Sequence, residues 1–563
     1  MYGVVKMRYS HNFHEYSQKE FGGLDRRAGA PDGAIADNLN MSADRYPVLT
    51  VRPRRGCAAT LPQDDNGMLP SNGLLARDCL AYVAGDRLIV DGVQVATLTD
   101  SRKTMVGIQK KICIWPDKKI YDRESGALTD MEATWEGEAV FSDGTYAGEP
   151  ALANTISVAG DVTAIFRAGD GVAVTVAESG MEEQTFGAYV IQEAEYLDAE
   201  DRTELRFQEE TWRRFVAESG SSGTEDGQVG FPGVGKAFNL RIQRRAPELD
   251  GVFEHHNRLW GWHGGTICCC ALGDPTNWES FNGDATDSWE LETGTPGDIT
   301  GGISYGGRPV FFKERRVIRI YGDYPGQYST SETESLGVEA GSGRSLAIAG
   351  DTLYYKSTEG IMAYTGGYPY SVSEVLGEER YRNAVAGSDG VRYYVSMEDE
   401  EGTAQILCFD TRHRTWNRES GMKIVDFGWN GHLYGLEERG TVWVMGEAEE
   451  YRTDEWGMVS MVEFADITGG TTRKKGLGRV VLRLEADEYT ALTISIRYDS
   501  QGDWIKVGTL KGALVKGQTE VIIPIRRCDH YRIKIEGNSD AEFGGGWTLH
   551  DMTQERYIGS NRQ

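Results

Sequence analysis

The stretches RLWGWHGG (258–265), RPVFFKERRVIRIYG (308–322), DTLYYKSTEGIMAYTGG (351–367), VRYYVSMEDEEGTAQILCFD (391–410) and HLYGLEERGTVWVMG (432–446) share one grammar: a β-rich run, a polar turn, then a second β-rich run. Their starts at Arg258, Arg308, Asp351, Val391 and His432 are spaced by 50, 43, 40 and 41 residues. A period of roughly 40 to 50 residues built on such hairpins is the sequence mark of a β-propeller blade.

Working outward, the pattern recurs upstream. LAYVAGDRLIVDGVQVATL (80–98) holds two or three strands around Gly85-Asp86 and Asp91-Gly92, and KKICIWPDKKIYD (110–122) is a second unit. DVTAIFRAGDGVAVTVA (161–177), with a hairpin signal at Gly169-Asp170-Gly171, reads as a third. Together these predict a β-propeller of roughly six to eight blades over 61–446. Residues 186–246 break the rhythm and are read as an insertion or small subdomain, or as a distorted blade with long loops. After a linker at 447–458, residues 459–563 alternate apolar and polar positions in VVLRLEA, LTISIRYDS, DWIKVGTL, VIIPIRR and HYRIKIEG. That period of two predicts a C-terminal antiparallel β-sandwich. The fold class expected is therefore all-β, with an extended N-terminal arm over 1–60. That arm is either a flexible tail or a segment that docks on a neighbouring subunit or on the chain's own propeller.

Composition fits this reading. With 39% hydrophobic and 10% aromatic residues, the 563-residue chain can bury a large core, and 71 glycines, 27 tyrosines and 13 tryptophans suit short twisted strands and tight turns. No stretch approaches the roughly 18 apolar residues of a membrane span, and MYGVVKMRYSHNF lacks the apolar core of a secretion signal. Synthesis in a cytosol is the expectation, with the eight scattered cysteines reduced and mostly buried. Residues 1–56 carry 9 basic and 6 acidic groups and residues 456–563 carry 15 and 14, so 57–455 hold 35 and 66, a net −31. Such a field disfavours tight phosphate binding and suits a wall that nucleic acid passes without sticking.

Catalytic and cofactor signatures are sparse. His255, His256 and His263 stand near Cys268, Cys269 and Cys270, but no CxxC or HxxxH spacing supports zinc. GFPGVGK (230–236) lacks the Ser/Thr and the βαβ setting of a phosphate loop. No nucleophile elbow occurs, and carboxylate pairs are uninformative among 86 acidic residues. Trp260, Trp262, Trp278, Trp289, Trp416, Trp429 and Trp443 read first as blade packing, with a sugar-stacking face as the minor reading. No enzyme activity, cofactor or metal is expected. Arg45, Arg52, Arg54 and Arg55 are the candidate subunit contacts, either solvated or ion-paired to an acidic propeller next door, and Arg473, Lys474 and Lys475 form a second small patch.

Residues 252–322 carry, in order, Asn257–Trp260 (NRLW), Leu272–Trp278 (LGDPTNW), Asp287-Ser288, Gly297–Gly301 (GDITG) and Val310–Gly322 (VFFKE…IYG). Downstream stand Arg344-Ser345-Leu346, Ser357–Ile361 and Asp410-Thr411 with Trp416, and the arm holds Asn38–Met41, Tyr46–Leu49 and Arg52–Gly56. In this order the motifs resemble the tail-hub, nozzle and DNA-stabilisation proteins of tailed bacteriophages. The resemblance implies a structural virion subunit of a homo-oligomeric ring, commonly a hexamer, that lines or closes the DNA channel. Its partners would be other head-tail connector or tail proteins, with DNA in transient, non-specific passage. It implies no catalytic residues and a place in the virion tail. The alternative expectation is a carbohydrate-binding or glycan-cleaving propeller of the tail tip or of a bacterial surface protein.

Overall fold

The computed structural model describes residues 13–65, 67–146, 149–176, 184–207, 237–446, 455, 457–511, 515–523, 526–539 and 546–558. Among the described residues the regular structure is β throughout, apart from four short 3-10 turns. Seven four-stranded antiparallel sheets appear among the described residues, and they are the blades. Blade one runs over 71–97, two over 104–130, three over 251–292, four over 301–334, five over 347–371 and six over 382–418. Blade seven takes Ile424–Asn430, His432–Glu437 and Thr441–Val444, and its fourth strand is Gly56–Thr60 from the other end of the chain. The chain is thus an all-β propeller with an inserted sheet, followed by a β-sandwich.

The opening stretches at 308, 351, 391 and 432 are the second and third strands of blades four to seven, and RLWGWHGG (258–265) is the second strand of blade three with its turn, the third following at Thr266–Cys269. Second strands such as Arg258–His263, Arg308–Lys313 and Thr352–Ser357 are buried at five of six positions. A strand covered on both faces reads as an apolar run rather than an alternation, which is why these segments stand out. Fourth strands are wetter except in blade six, where Thr415–Arg418 is buried: Ser329–Glu334 of blade four is the polar run STSETE, mostly exposed. Their sequences carry little signal.

The chain divides into two compact units, 1–85 with 338–563, and 86–337. In the second unit lies the inserted sheet. It has seven strands in the order Gln184–Val190, Gly171–Val176, Ala237–Arg244, Ala133–Tyr146, Glu149–Ala159, Arg202–Arg206, Glu193–Leu197. Ile156, Val158, Phe166, Val172, Leu205 and Ile242 form its core. This corrects two expectations. The insertion begins at Ala133 rather than near 186, and the unit at 161–177 is no blade, because Gly171–Val176 pairs within the inserted sheet. GFPGVGK (230–236) lies outside the described residues.

In the first unit, the sandwich packs a six-stranded sheet on a five-stranded one. The first holds Trp547–Ile558 and Lys475–Ala486 side by side; the second runs Ile35–Leu39, Val459–Phe464, Tyr531–Ser539, Thr490–Tyr498, Ile505–Lys511. Alternation survives here: Ile494 and Ile496 are buried with Leu482, Leu484, Ile533 and Ile535, while intervening positions are wetter.

Of the readings open for the arm, docking on the chain's own propeller is the one the structure shows, through Leu24 and Asn40 on blade six, and the sandwich is a further partner that was not expected. Residues 13–60 are neither a tail nor a separate module. Phe13–Gln18 pairs with Trp547–Ile558 over Phe13↔Tyr557 to Gln18↔Met552, Ile35–Leu39 pairs with Val459–Phe464, and Leu49–Val51 pairs with Trp547–Ile558 through Thr50↔Thr548. The edges of the sandwich supply hydrogen-bonding groups that must be paired or wet, and the arm pairs them. Phe21, Leu24 and Ile35 sink into a core that continues through Trp416 of blade six to Phe464 of the sandwich. Gly23 marks the contact, since a Cβ there would stand 2.4 Å from the Trp416 carbonyl oxygen.

Candidate functional site: a charged cleft where the arm crosses blade six

The arm passes along Thr415–Arg418, the fourth strand of blade six. Leu24 N donates to Trp416 O at 2.7 Å, and Asn40 N donates to Arg418 O at 2.9 Å. Two asparagines of the Asn38–Met41 motif complete the seam. Asn38 Nδ2 donates to Asn417 Oδ1 at 2.8 Å, while its Oδ1 accepts from Arg418 N at 2.8 Å. Asn40 sits at φ 57°, a left-handed conformation that Asn tolerates better than most residues. That turn aims its amide both ways: Oδ1 accepts from Arg52 Nε at 2.9 Å and from Ser420 N at 3.2 Å, and Nδ2 donates to Val459 O at 2.7 Å. One side chain thereby ties arm, blade and sandwich together.

Beneath this seam lies an ion cluster. Arg52 grips Glu455 with Nη2 to Oε1 at 2.6 Å and Nη1 to Oε2 at 2.8 Å. Arg55 pairs with Glu419 through Nη2 and with Glu455 Oε1 at 3.4 Å, and its backbone N–H adds a bond to Glu455 Oε2 at 3.0 Å. The Arg55 side chain is 0% exposed and that of Glu419 5%. Burial would push the Glu455 carboxyl up, but Arg52 and Arg55 hold it down to about 2. Such a fork-to-fork pair is among the stronger charge-assisted contacts.

A cleft of about 200 Å³ opens beside the cluster, lined by Arg52, Arg392, Tyr394, Cys408, Asp410 and Glu419 among others. Arg392 reaches Asp44 of the arm, Asp389 at 3.3 Å and Tyr394 Oη at 3.2 Å. Burial works to raise the Asp410 carboxyl, yet hydrogen bonds from Arg412 at 2.5 and 3.1 Å leave it below the usual range. Burial lifts the Cys408 thiol well above its ordinary value, so it stays protonated and a poor nucleophile. The chemistry this arrangement performs best is holding the arm in one place.

The four arginines of the sequence reading separate here. Arg52 and Arg55 have the acidic partners expected of them, but those partners, Glu419 and Glu455, belong to the same chain. Both guanidiniums are enclosed at 4% and 0% side-chain exposure, which removes them as subunit contacts. Arg45 is exposed and Arg54 half-buried. Nothing in the sequence marked Glu419 or Glu455.

The other candidates sort by burial. Trp260, Trp278 and Trp416 are at most 3% exposed and Trp262 is 7%, so they are packing residues, and Trp289 packs on Trp260 with ring centroids 5.8 Å apart. Trp278 therefore offers no sugar-stacking face, while Trp289 is half-buried. Trp429 is 49% exposed. His255 stacks on His256 at 3.9 Å and bonds Ser304 Oγ at 2.8 Å, while Cys268, Cys269 and Cys270 are buried free thiols. Among the described residues no group of three metal-ligating side chains is placed to hold an ion, and no helix is long and apolar enough to cross a membrane.

No family model matches the chain, and no curated protein does. Among solved structures it is similar to an exo-β-1,3-galactanase from Phanerochaete chrysosporium at 10% identity, over 54% of this chain and 95% of that one, with a TM-score of 0.22. PorZ, a surface component of the type-IX secretion system of Porphyromonas gingivalis, is similar at 11% identity over 87% and 77%, TM-score 0.25. Dipeptidyl peptidase 4 of Porphyromonas gingivalis is similar at 8% identity over 82% and 66%, TM-score 0.26. At these values the likeness is one of β-rich architecture and carries neither substrate nor partner.

Proposed function

We propose that this chain is a structural subunit of a tailed-phage virion: a ring-forming tail-hub, nozzle or head-tail completion protein, hexameric, whose acidic propeller lines or closes a channel that DNA traverses unbound. The observation that carries the reading is how the motif residues are used. Asn38, Asn40, Arg52 and Arg55 fasten the arm to its own chain. Asp287 accepts from Ser280 Oγ, Gly283 N and Asp284 N at 2.7 to 3.0 Å, and Asn277 bonds Gly169 O and Gly171 N, so the LGDPTNW and Asp-Ser segments brace a loop. The motifs that carry the resemblance thus build architecture. Negative-stain microscopy and mass measurement of the purified protein should give closed rings of defined copy number. A strictly monomeric particle at micromolar concentration, absent from virions, overturns the reading.

One feature favours a second reading, a glycan-binding propeller. Tyr368 is 75% exposed, Trp429 49% and Tyr370 46%, and aromatic faces of this kind stack on sugar rings. Binding on a glycan array that disappears in Trp429→Ala or Tyr368→Ala would establish it; no binding to cell-wall or capsule polysaccharides eliminates it.

A further inference from the structure

In the second unit, loops of blades three and four enclose a small pocket of about 60 Å³, lined by His255, Arg258, Trp260, Asp323 and Tyr328 among others. It holds two unmet demands. Arg258 is 3% exposed, and its guanidinium donates to neutral carbonyls, Cys270 O at 2.9 Å, Ala285 O at 2.7 Å, and Asp287 O, with the neutral Cys269 thiol also near it. Among the described residues no carboxylate stands within 4.0 Å of its nitrogens, and the nearby Asp287 turns its carboxylate into its own loop. A buried cation without a counter-charge is costly, and carbonyl dipoles offset only part of that cost. The second demand is independent of the first. Trp260, 1% exposed, has an indole N–H that is buried with no acceptor, although buried indole donors ordinarily find one.

We propose that this pocket binds one small oxyanion of carboxylate size. The anion neutralises Arg258 and accepts the Trp260 N–H, with the Tyr328 hydroxyl, lifted to about 12 chiefly by burial, as a further donor. A site needs roughly 10–15 Å³ for each water it holds, so about 60 Å³ admits a carboxylate or inorganic phosphate group and excludes a nucleotide or a sugar. The same chemistry has two sources, a free oxyanion or an Asp/Glu side chain from a second copy of this acidic chain.

The test uses the full-length protein, with thermal unfolding and calorimetric titration against sodium acetate and inorganic phosphate at constant ionic strength, sodium chloride as control. Tyr328→Phe removes only the hydroxyl and keeps the ring, whereas Trp260→Phe removes the indole N–H together with part of a buried ring, so each variant's own Tm without anion is the reference for its response. A saturable rise in Tm with acetate or phosphate, weakened about tenfold or more in Trp260→Phe, establishes a free oxyanion as occupant. No response to free anions, together with self-association that is lost in Trp260→Phe, supports the proposal with a second copy's carboxylate as the source. Neither response in the wild type, or identical responses in wild type and Trp260→Phe, overturns it.

Discussion

The arm crossing in one unit and the blade-three loop in the other bury the same side chain in opposite company. Arg55 and Arg52 are enclosed with the carboxylates of Glu419 and Glu455. Arg258 is as deeply enclosed, but its guanidinium is held by carbonyl oxygens and pairs with no carboxylate among the described residues. The difference teaches what each guanidinium is for. A cation paired with carboxylates from residues hundreds of positions away fixes a long-range contact. A cation held by carbonyls of its own loop shapes that loop and keeps its charge available.

The comparison is open to breakage at both ends. Glu419→Ala leaves the two buried guanidiniums of Arg52 and Arg55 to share Glu455 alone, and we expect a loss of about 3–5 kcal/mol by chemical denaturation, with hydrogen exchange rising over residues 20–60. A loss below about 1 kcal/mol means that the cluster is not the fastening inferred here.

Acid sharpens the contrast. Glu455, held to about 2 when folded, contributes stability fully present above its unfolded value of about 4.5 and lost as pH falls from there towards 2, in all about 3 kcal/mol. His255 is lowered to about 4 by burial first and His256 second. It is bound neutral, so its contribution is present above about 6.5 and lost as pH falls towards 4. On acidification the blade-three region weakens first. Thermal unfolding against pH should show a slope between 6.5 and 4 that flattens in His255→Gln, and one between 4.5 and 2 that flattens in Glu455→Gln. The reverse assignment contradicts the geometry.

Arg258→Met removes a buried charge without stranding a partner charge. It leaves the Cys270, Ala285 and Asp287 carbonyls unpaired, and we expect a loss of about 1–3 kcal/mol in the same unfolding measurement, smaller than that of Glu419→Ala. At the bottom of the scale, Arg45→Ala should change stability by no more than about 0.5 kcal/mol, since Arg45 is exposed. Any larger effect of Arg45→Ala on self-association would mark it as a contact between copies.

What was legible in the sequence follows burial. Second strands of blades are covered on both faces and read as apolar runs, so blades three to seven could be placed from sequence. The sandwich betrayed itself by alternation. The inserted sheet was misread because its hairpin at Gly169-Asp170-Gly171 carries the turn chemistry of a blade hairpin; local signals do not say which sheet a hairpin joins. Docking of the arm on its own propeller was legible as one of two readings, but its strands in the sandwich were not, because Ile35–Leu39 (IADNL) and Leu49–Val51 are too short to show a period, and their partners there lie more than 400 positions away. The arginines drew notice as charge, while Glu419 and Glu455 were two acids among 86.

The fourth strand of blade seven sets a schedule for making the protein. Gly56–Thr60 leaves the ribosome roughly 380 residues before Thr441–Val444, with which it pairs. At about 5–20 residues per second, that segment and the arm ahead of it wait some tens of seconds beside a growing row of blades. Blade seven can close only once Thr441–Val444 has emerged, and the sandwich only once Trp547–Ile558 has. Translation speed and any factor that shields the nascent amino-terminal segment therefore bear directly on the yield of folded protein.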